Sequence, residues 1–185
     1  MKIFAAALLL APLSPAPVLA AAKARAVAHM TGRAGQALGT ISFSAMDHGV
    51  LIEMDLHDLL PGPHAIQIHT SGNCDARKAF TSAGPIWSLT PGKLHGFLAK
   101  GGPMSGDLPN QFAGTDGKLH AQTLTNAFSL GNGKKSLFDR DGASIIVMAR
   151  GDDYVSQPGG NSGDRIACGV IERTIGPASR KRRRK

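Results

Sequence analysis

Cysteine is scarce in this 185-residue chain, present only as Cys74 and Cys168, and aromatic residues make up 5% of it. A disulfide-dense scaffold is thereby excluded, so the fold has to rest on an apolar core. Long apolar runs are missing too. The stretch that starts at Ile3 is cut by Pro12, Ser14, Pro15 and Pro17, short of the roughly 20 residues a membrane anchor needs. No cysteine closely follows that stretch, which argues against a lipid-modified N-terminus. Helical periodicity is absent over any comparable length, which argues against a helical fold.

What the N-terminus does carry is Lys2, an apolar run over 3–13 and the small-residue stretch Val18-Leu19-Ala20-Ala21, the pattern of a secretory signal peptide. Cleavage is expected after Ala20 or Ala22. Residues 1–22 are therefore read as the signal, and the mature protein as exported, periplasmic or extracellular. About 160 residues remain, the size of one domain that buries roughly 70% of its surface. In an oxidising compartment Cys74 and Cys168 read first as a disulfide, the alternative being two buried free thiols.

The net charge of +8 belongs to one end of the chain. Six basic residues form the unbroken run Arg180-Lys181-Arg182-Arg183-Arg184-Lys185, while residues 21–179 hold 14 basic against 13 acidic side chains. Residues 174–185 are read as a linker and basic tail, suited to anionic surfaces through screened, nonspecific attraction. The run has no aromatic to stack on bases, so no specific nucleic-acid recognition is expected.

Between these ends, over 23–173, short stretches of alternating apolar and polar residues are bounded by turn residues. They predict strands over 36–46 and 49–56, joined by a hairpin turn at Asp47-His48-Gly49. Further strands are predicted over 118–124, 143–149 and 165–171, the second of them buried on both faces. Residues 64–69 alternate strictly. Two segments without periodicity, 70–111 and 150–164, read as long loops. The pattern implies an all-β sandwich or barrel with Greek-key connections.

His64, His69, His95 and Asp107 offer imidazole and carboxylate donors that a metal site could use, though the residue types alone fit surface or hydrogen-bonded roles equally. Longer motifs narrow the choice. They are the run from Pro61-Gly62-Pro63-His64 to Ile68-His69, then Ser82-Ala83-Gly84-Pro85, Gly106-Asp107-Leu108-Pro109-Asn110, Gly151-Asp152-Asp153-Tyr154, and the stretch from Gly160-Asn161-Ser162-Gly163-Asp164-Arg165 to Cys168-Gly169-Val170-Ile171. In this order they resemble the copper/zinc superoxide dismutases, particularly the secreted bacterial ones. The resemblance covers about residues 24–172.

That resemblance implies an eight-stranded Greek-key sandwich or barrel with two long loops, and a Cys74–Cys168 disulfide. It implies ligand positions as well, of which this chain departs from four in seven. Among the copper positions His69 is kept, while Gln67, Ile86 (the bridging position) and Met148 replace histidines. Among the zinc positions His95 and Asp107 are kept, and Met104 stands for a histidine. Arg165 matches the family's anion-attracting arginine, and His64 and Asp152 match positions just outside the ligands. Dismutation needs copper to cycle between two oxidation states on nitrogen donors, so these losses imply a protein without dismutase activity, a binding or interaction module. Two alternatives stay open: a residual metal-dependent dismutase, and a carrier of zinc or copper(I) in which Met104 and Met148 supply soft donors.

Overall fold

The computed structural model describes residues 25–174; the segment read as a signal peptide and the basic tail lie outside the described residues. Ten strands follow one another: β1 (Arg25–Gly32), β2 (Ala37–Met46), β3 (Gly49–Leu56), β4 (Gly62–His64), β5 (Ile66–His69), β6 (Gln111–Ala113), β7 (Leu119–Thr125), β8 (Ser144–Met148), β9 (Arg165–Val170) and β10 (Glu172–Thr174). Eight of them form one curled antiparallel sheet in the order β5-β8-β9-β1-β2-β3-β7, with β10 beside β1. The short pair β4-β6 stands apart, with β6 lying against β7. Neighbours in space that are distant in sequence, β3 with β7 and β1 with β9, make this the expected Greek-key barrel.

Alternation sets the curl. β1 turns Ala26, Ala28 and Met30 inward, β2 Ile41 and Phe43, and β3 Val50, Ile52, Met54 and Leu56, while the residues between them lie partly or fully in solvent. These side chains form the main core with Leu119, Trp87 and Phe128, the last two in a T-shaped contact at 6.2 Å. Met46 pairs with Gly49 across the two-residue turn, as the Asp47-His48-Gly49 pattern predicts.

The strict alternation of residues 64–69 suggests a single strand, half buried. Instead all six are buried, and the strand breaks at Ala65. There the Ala65 N–H donates to the Arg150 carbonyl and its own carbonyl accepts from the Met148 N–H. The outer face is dry because part of the 70–111 segment folds back over it. A second apolar cluster fills that space, made of Ala65, Phe80, Ala83, Ile146, Met148 and Cys168. The same cover buries β8 on both faces, as its β-branched run predicts.

The two expected long loops are present, the first carrying only two short 3-10 turns, Ala76–Lys78 and Thr81–Ala83. A third irregular segment, 126–143, anchors itself through buried Phe128, Leu130 and Leu137. Cys74 and Cys168 form a disulfide with Cα atoms 5.6 Å apart, which ties the first loop to β9. Cys168 lies in the penultimate strand, since β10 follows it.

Candidate functional site

β5 forms the floor of the site. Gln67 and His69, two apart and hence on one face, line a cavity of about 380 Å³. Its walls include Ile86, Met104 and Met148 on one hand and the polar Gln157, Asn161 and Ser162 on the other, and Arg165 stands beside them. The fold thus gathers His69, Met104, Met148 and Arg165 in one place, from β5, the first loop, β8 and β9.

His69 is buried, and its Nδ1 lies 2.9 Å from the Gly84 carbonyl, which can only accept. The ring proton therefore sits on Nδ1, and Nε2 keeps a bare lone pair. Burial, reinforced by the charge of Arg165, pushes the pKa of His69 down to about 4, so the ring is neutral near pH 7. Arg165 is partly buried and donates from Nη1 to the Phe80 carbonyl at 2.7 Å and from Nη2 to that of Gly84 at 2.9 Å. One carbonyl thus orients both the histidine and the arginine.

A second polar knot lies behind the Met104 wall. His95 Nδ1 is 2.7 Å from Asp107 Oδ1, and His95 Nε2 is 3.0 Å from Asp152 Oδ2, with all three side chains sealed from solvent. Two carboxylates ask the ring for two donors, an arrangement that favours its protonated form. Asp107 Oδ2 also accepts from the Gly96 and Met104 N–H groups, each at 2.9 Å, and Asp152 Oδ1 accepts from the Tyr154 N–H at 2.6 Å. Gln157 grips the His95 backbone reciprocally, accepting from its N–H at 3.1 Å and donating to its carbonyl at 2.8 Å. Asn110 does the same to Asp152, at 2.8 and 2.9 Å. These bonds sew the two long loops together.

Gly160 shows how closely the knot is packed. Its φ is +69°, and a Cβ there would collide with Asp152 Oδ1 and come within 2.9 Å of His95 Nε2. Gly160→Ala should cost about 2 to 5 kcal/mol, combining left-handed strain with overpacking. Thermal unfolding of the variant measures this; an unchanged midpoint would mean that the knot yields freely.

His64 stands outside both groups, its ring nitrogens 2.7 Å from the Met148 carbonyl and 2.8 Å from that of Leu60. It straps β4 to the end of β8. Gln157, Asn110 and Tyr154 had no signal as site residues beyond their place in or near motifs of the resemblance. Among the described residues, no three or more His, Cys, Asp or Glu side chains are arranged to hold a metal.

A copper/zinc superoxide dismutase (SODC) family model matches residues 37–171. The chain is 40% identical over 140 residues to a "Superoxide dismutase [Cu-Zn]" of Caulobacter vibrioides, covering 75% of this chain and 80% of that protein. It is 38% identical over 146 residues to the superoxide dismutase-like protein YojM of Bacillus subtilis, covering 77% and 73%. Among solved structures, a SOD-like protein from Bacillus subtilis superposes with a TM-score of 0.74 at 35% identity, covering 78% of this chain and 96% of that one. The Cu/Zn superoxide dismutase of Brucella abortus gives 0.63 at 26% identity, covering 80% and 99%. With a matched stretch that takes in nearly the whole barrel and both clusters of the site, the chain belongs to the copper/zinc superoxide dismutase family.

Proposed function

We propose that this protein is an exported, noncatalytic member of its family, in which the pocket at the copper position serves binding rather than dismutation. The observation that carries this reading is the lining of that pocket. At four positions where the family places imidazoles stand Gln67, His69, Ile86 and Met148, and all four border one cavity. Ile86 can neither ligate a metal nor relay a proton, and a single imidazole with a carboxamide and a thioether does not fit a copper that must cycle on nitrogen donors. The zinc positions fit no better. His95 and Asp107 are bonded to each other, and His95 spends its remaining nitrogen on Asp152. The N-terminal pattern supports export.

Purified protein, incubated with copper and zinc and assayed for superoxide consumption, is expected to show no activity above the metal-free background. Activity approaching that of a family dismutase, lost in His69→Ala, would overturn the reading.

A copper(I) carrier is the second reading, favoured because His69, Met104 and Met148 line the same cavity. It predicts that copper(I) competes away from a bicinchoninate probe onto the protein, and that Met148→Leu abolishes the transfer.

A further inference from the structure

Asparagine is chemically labile where the backbone nitrogen of the next residue can reach its side-chain carbon, and glycine, with no Cβ in the way, permits this best. Of the asparagines in this chain only Asn132 precedes a glycine; the others precede Cys74, Gln111, Ala127 and Ser162. Asn132 and Gly133 are exposed, in the irregular segment 126–143, and that segment contributes no residue to the cavity at β5.

We propose that Asn132 is a self-modification site, at which the chain converts its own asparagine to aspartate and isoaspartate with Arg173 as the assisting group. The inference is independent of what the β5 cavity binds.

The structure supplies each reacting group. The Gly133 nitrogen is the nucleophile, and its N–H donates to no acceptor among the described residues. A Cβ built on Gly131 or on Gly133 meets nothing within 4 Å, so no packing resists the approach of nitrogen to carbon. Arg173 Nη2 donates to Asn132 Oδ1 at 3.4 Å, the oxygen on which negative charge develops when the side-chain carbon is attacked. That guanidinium is held in place by other partners. Its Nη1 donates to the Leu130 carbonyl at 3.0 Å, Nη2 reaches the Gly131 carbonyl at 3.5 Å, and its central carbon lies 4.0 Å over the Phe138 ring. Asn161 makes the contrast. It precedes a small residue too, but Ser162 is buried and its N–H donates to the Gly159 carbonyl at 3.4 Å.

The step involves no change of oxidation state. Gly133 N bonds to Asn132 Cγ and gives up its proton, the Cγ–Nδ2 bond breaks, and Nδ2 leaves as ammonia. Water then opens the cyclic imide. Opening at Cγ gives aspartate, and opening at the main-chain carbonyl carbon of residue 132 gives isoaspartate. Either product sets a carboxylate where an amide stood, beside the guanidinium of Arg173, so a weak contact becomes a charge-assisted one. The new pair ties segment 126–143 to β10, the last strand before the basic tail.

The test ages purified protein in neutral buffer, folded and in parallel in urea, and locates the conversion by fragment mass spectrometry, with chromatography separating the two products. In the folded protein Asn132 is expected to convert while Asn73, Asn110, Asn126 and Asn161 stay intact. Arg173→Met should slow that conversion at least about threefold, the worth of one exposed hydrogen bond, and leave the rate in urea unchanged. Where the methionine variant does not fold, salt takes its place: raising the ionic strength should slow the folded wild type and not the unfolded chain. An Asn132 that lasts as long as the other asparagines would overturn the proposal. Equal rates in folded wild type and folded Arg173→Met would do so too, as would a salt-independent folded rate. Slowing by the same factor in urea would assign the influence of Arg173 to something other than this contact, and the assisted site would fall with it.

Discussion

Replacement of His95 by alanine is expected to lower the free energy of unfolding by about 3 to 5 kcal/mol, the cost of breaking a buried ion pair on one side. The ring bridges Asp107 and Asp152, and its removal leaves two sealed carboxylates facing a cavity. Both long loops hang on that ring, so they should loosen together. Urea unfolding with hydrogen exchange measures the effect; a loss below about 1 kcal/mol would show that the loops are held elsewhere.

The same knot sets a pH dependence. Burial pushes the His95 pKa down, but the hydrogen bonds and charges of Asp107, followed by those of Asp152, outweigh it, and the net displacement from 6.5 is upward. A group whose pKa rises on folding contributes fully below its unfolded value and loses that contribution as pH climbs through the folded one. Stability should therefore decline above about pH 6.5, and this decline should disappear in His95→Gln. Zinc or a chelator should leave the midpoint unmoved, because the groups at the zinc positions already satisfy one another.

Reducing the Cys74–Cys168 bond is expected to be comparably costly. The bridge closes a loop across 94 residues, and the chain-entropy relation gives about 4 to 5 kcal/mol for a loop of that size. Its effect should also be local. Cys168 belongs to the second apolar cluster, the layer that keeps the outer faces of β5 and β8 dry. With reductant, protection from exchange should fall first over residues 70–84 and then along β5, before the β1-β2-β3 meander opens. Uniform loss across the whole barrel would contradict this order.

The sequence made the β2-β3 hairpin, the doubly buried β8 and the cysteine pairing legible, because each has a local cause: a turn dipeptide, a β-branched run, an even pair of thiols. β1 was not legible. Its inward residues include Ala26 and Ala28, which carry little strand preference, and only pairing with β2 and β10 makes them a strand. The dry outer face of β5 was hidden for the opposite reason, since alternation within 64–69 says nothing about a loop that returns from beyond residue 70 to cover it. Through the resemblance the sequence pointed to positions that the fold brings near one another, but not to their division into two separate clusters. Asp152 bonds His95 from 57 residues away, and no spacing rule marks that contact. Nor could periodicity show that His69 would be left with a free lone pair, because that follows from where the Gly84 carbonyl points.

The way the two loops are tied down has a bearing on how the protein matures. The ties are one covalent bond, one set of charges and the amide hydrogen bonds of Gln157 and Asn110, all supplied by the chain. Closing the bond removes two electrons and two protons from a pair of thiols; drawing the charges together needs no outside reagent. On the noncatalytic reading, completion of this barrel depends on the supply of an electron acceptor and asks nothing of a metal. Cells starved of copper and zinc should yield as much folded protein as replete ones, and cells lacking a thiol oxidant should yield far less.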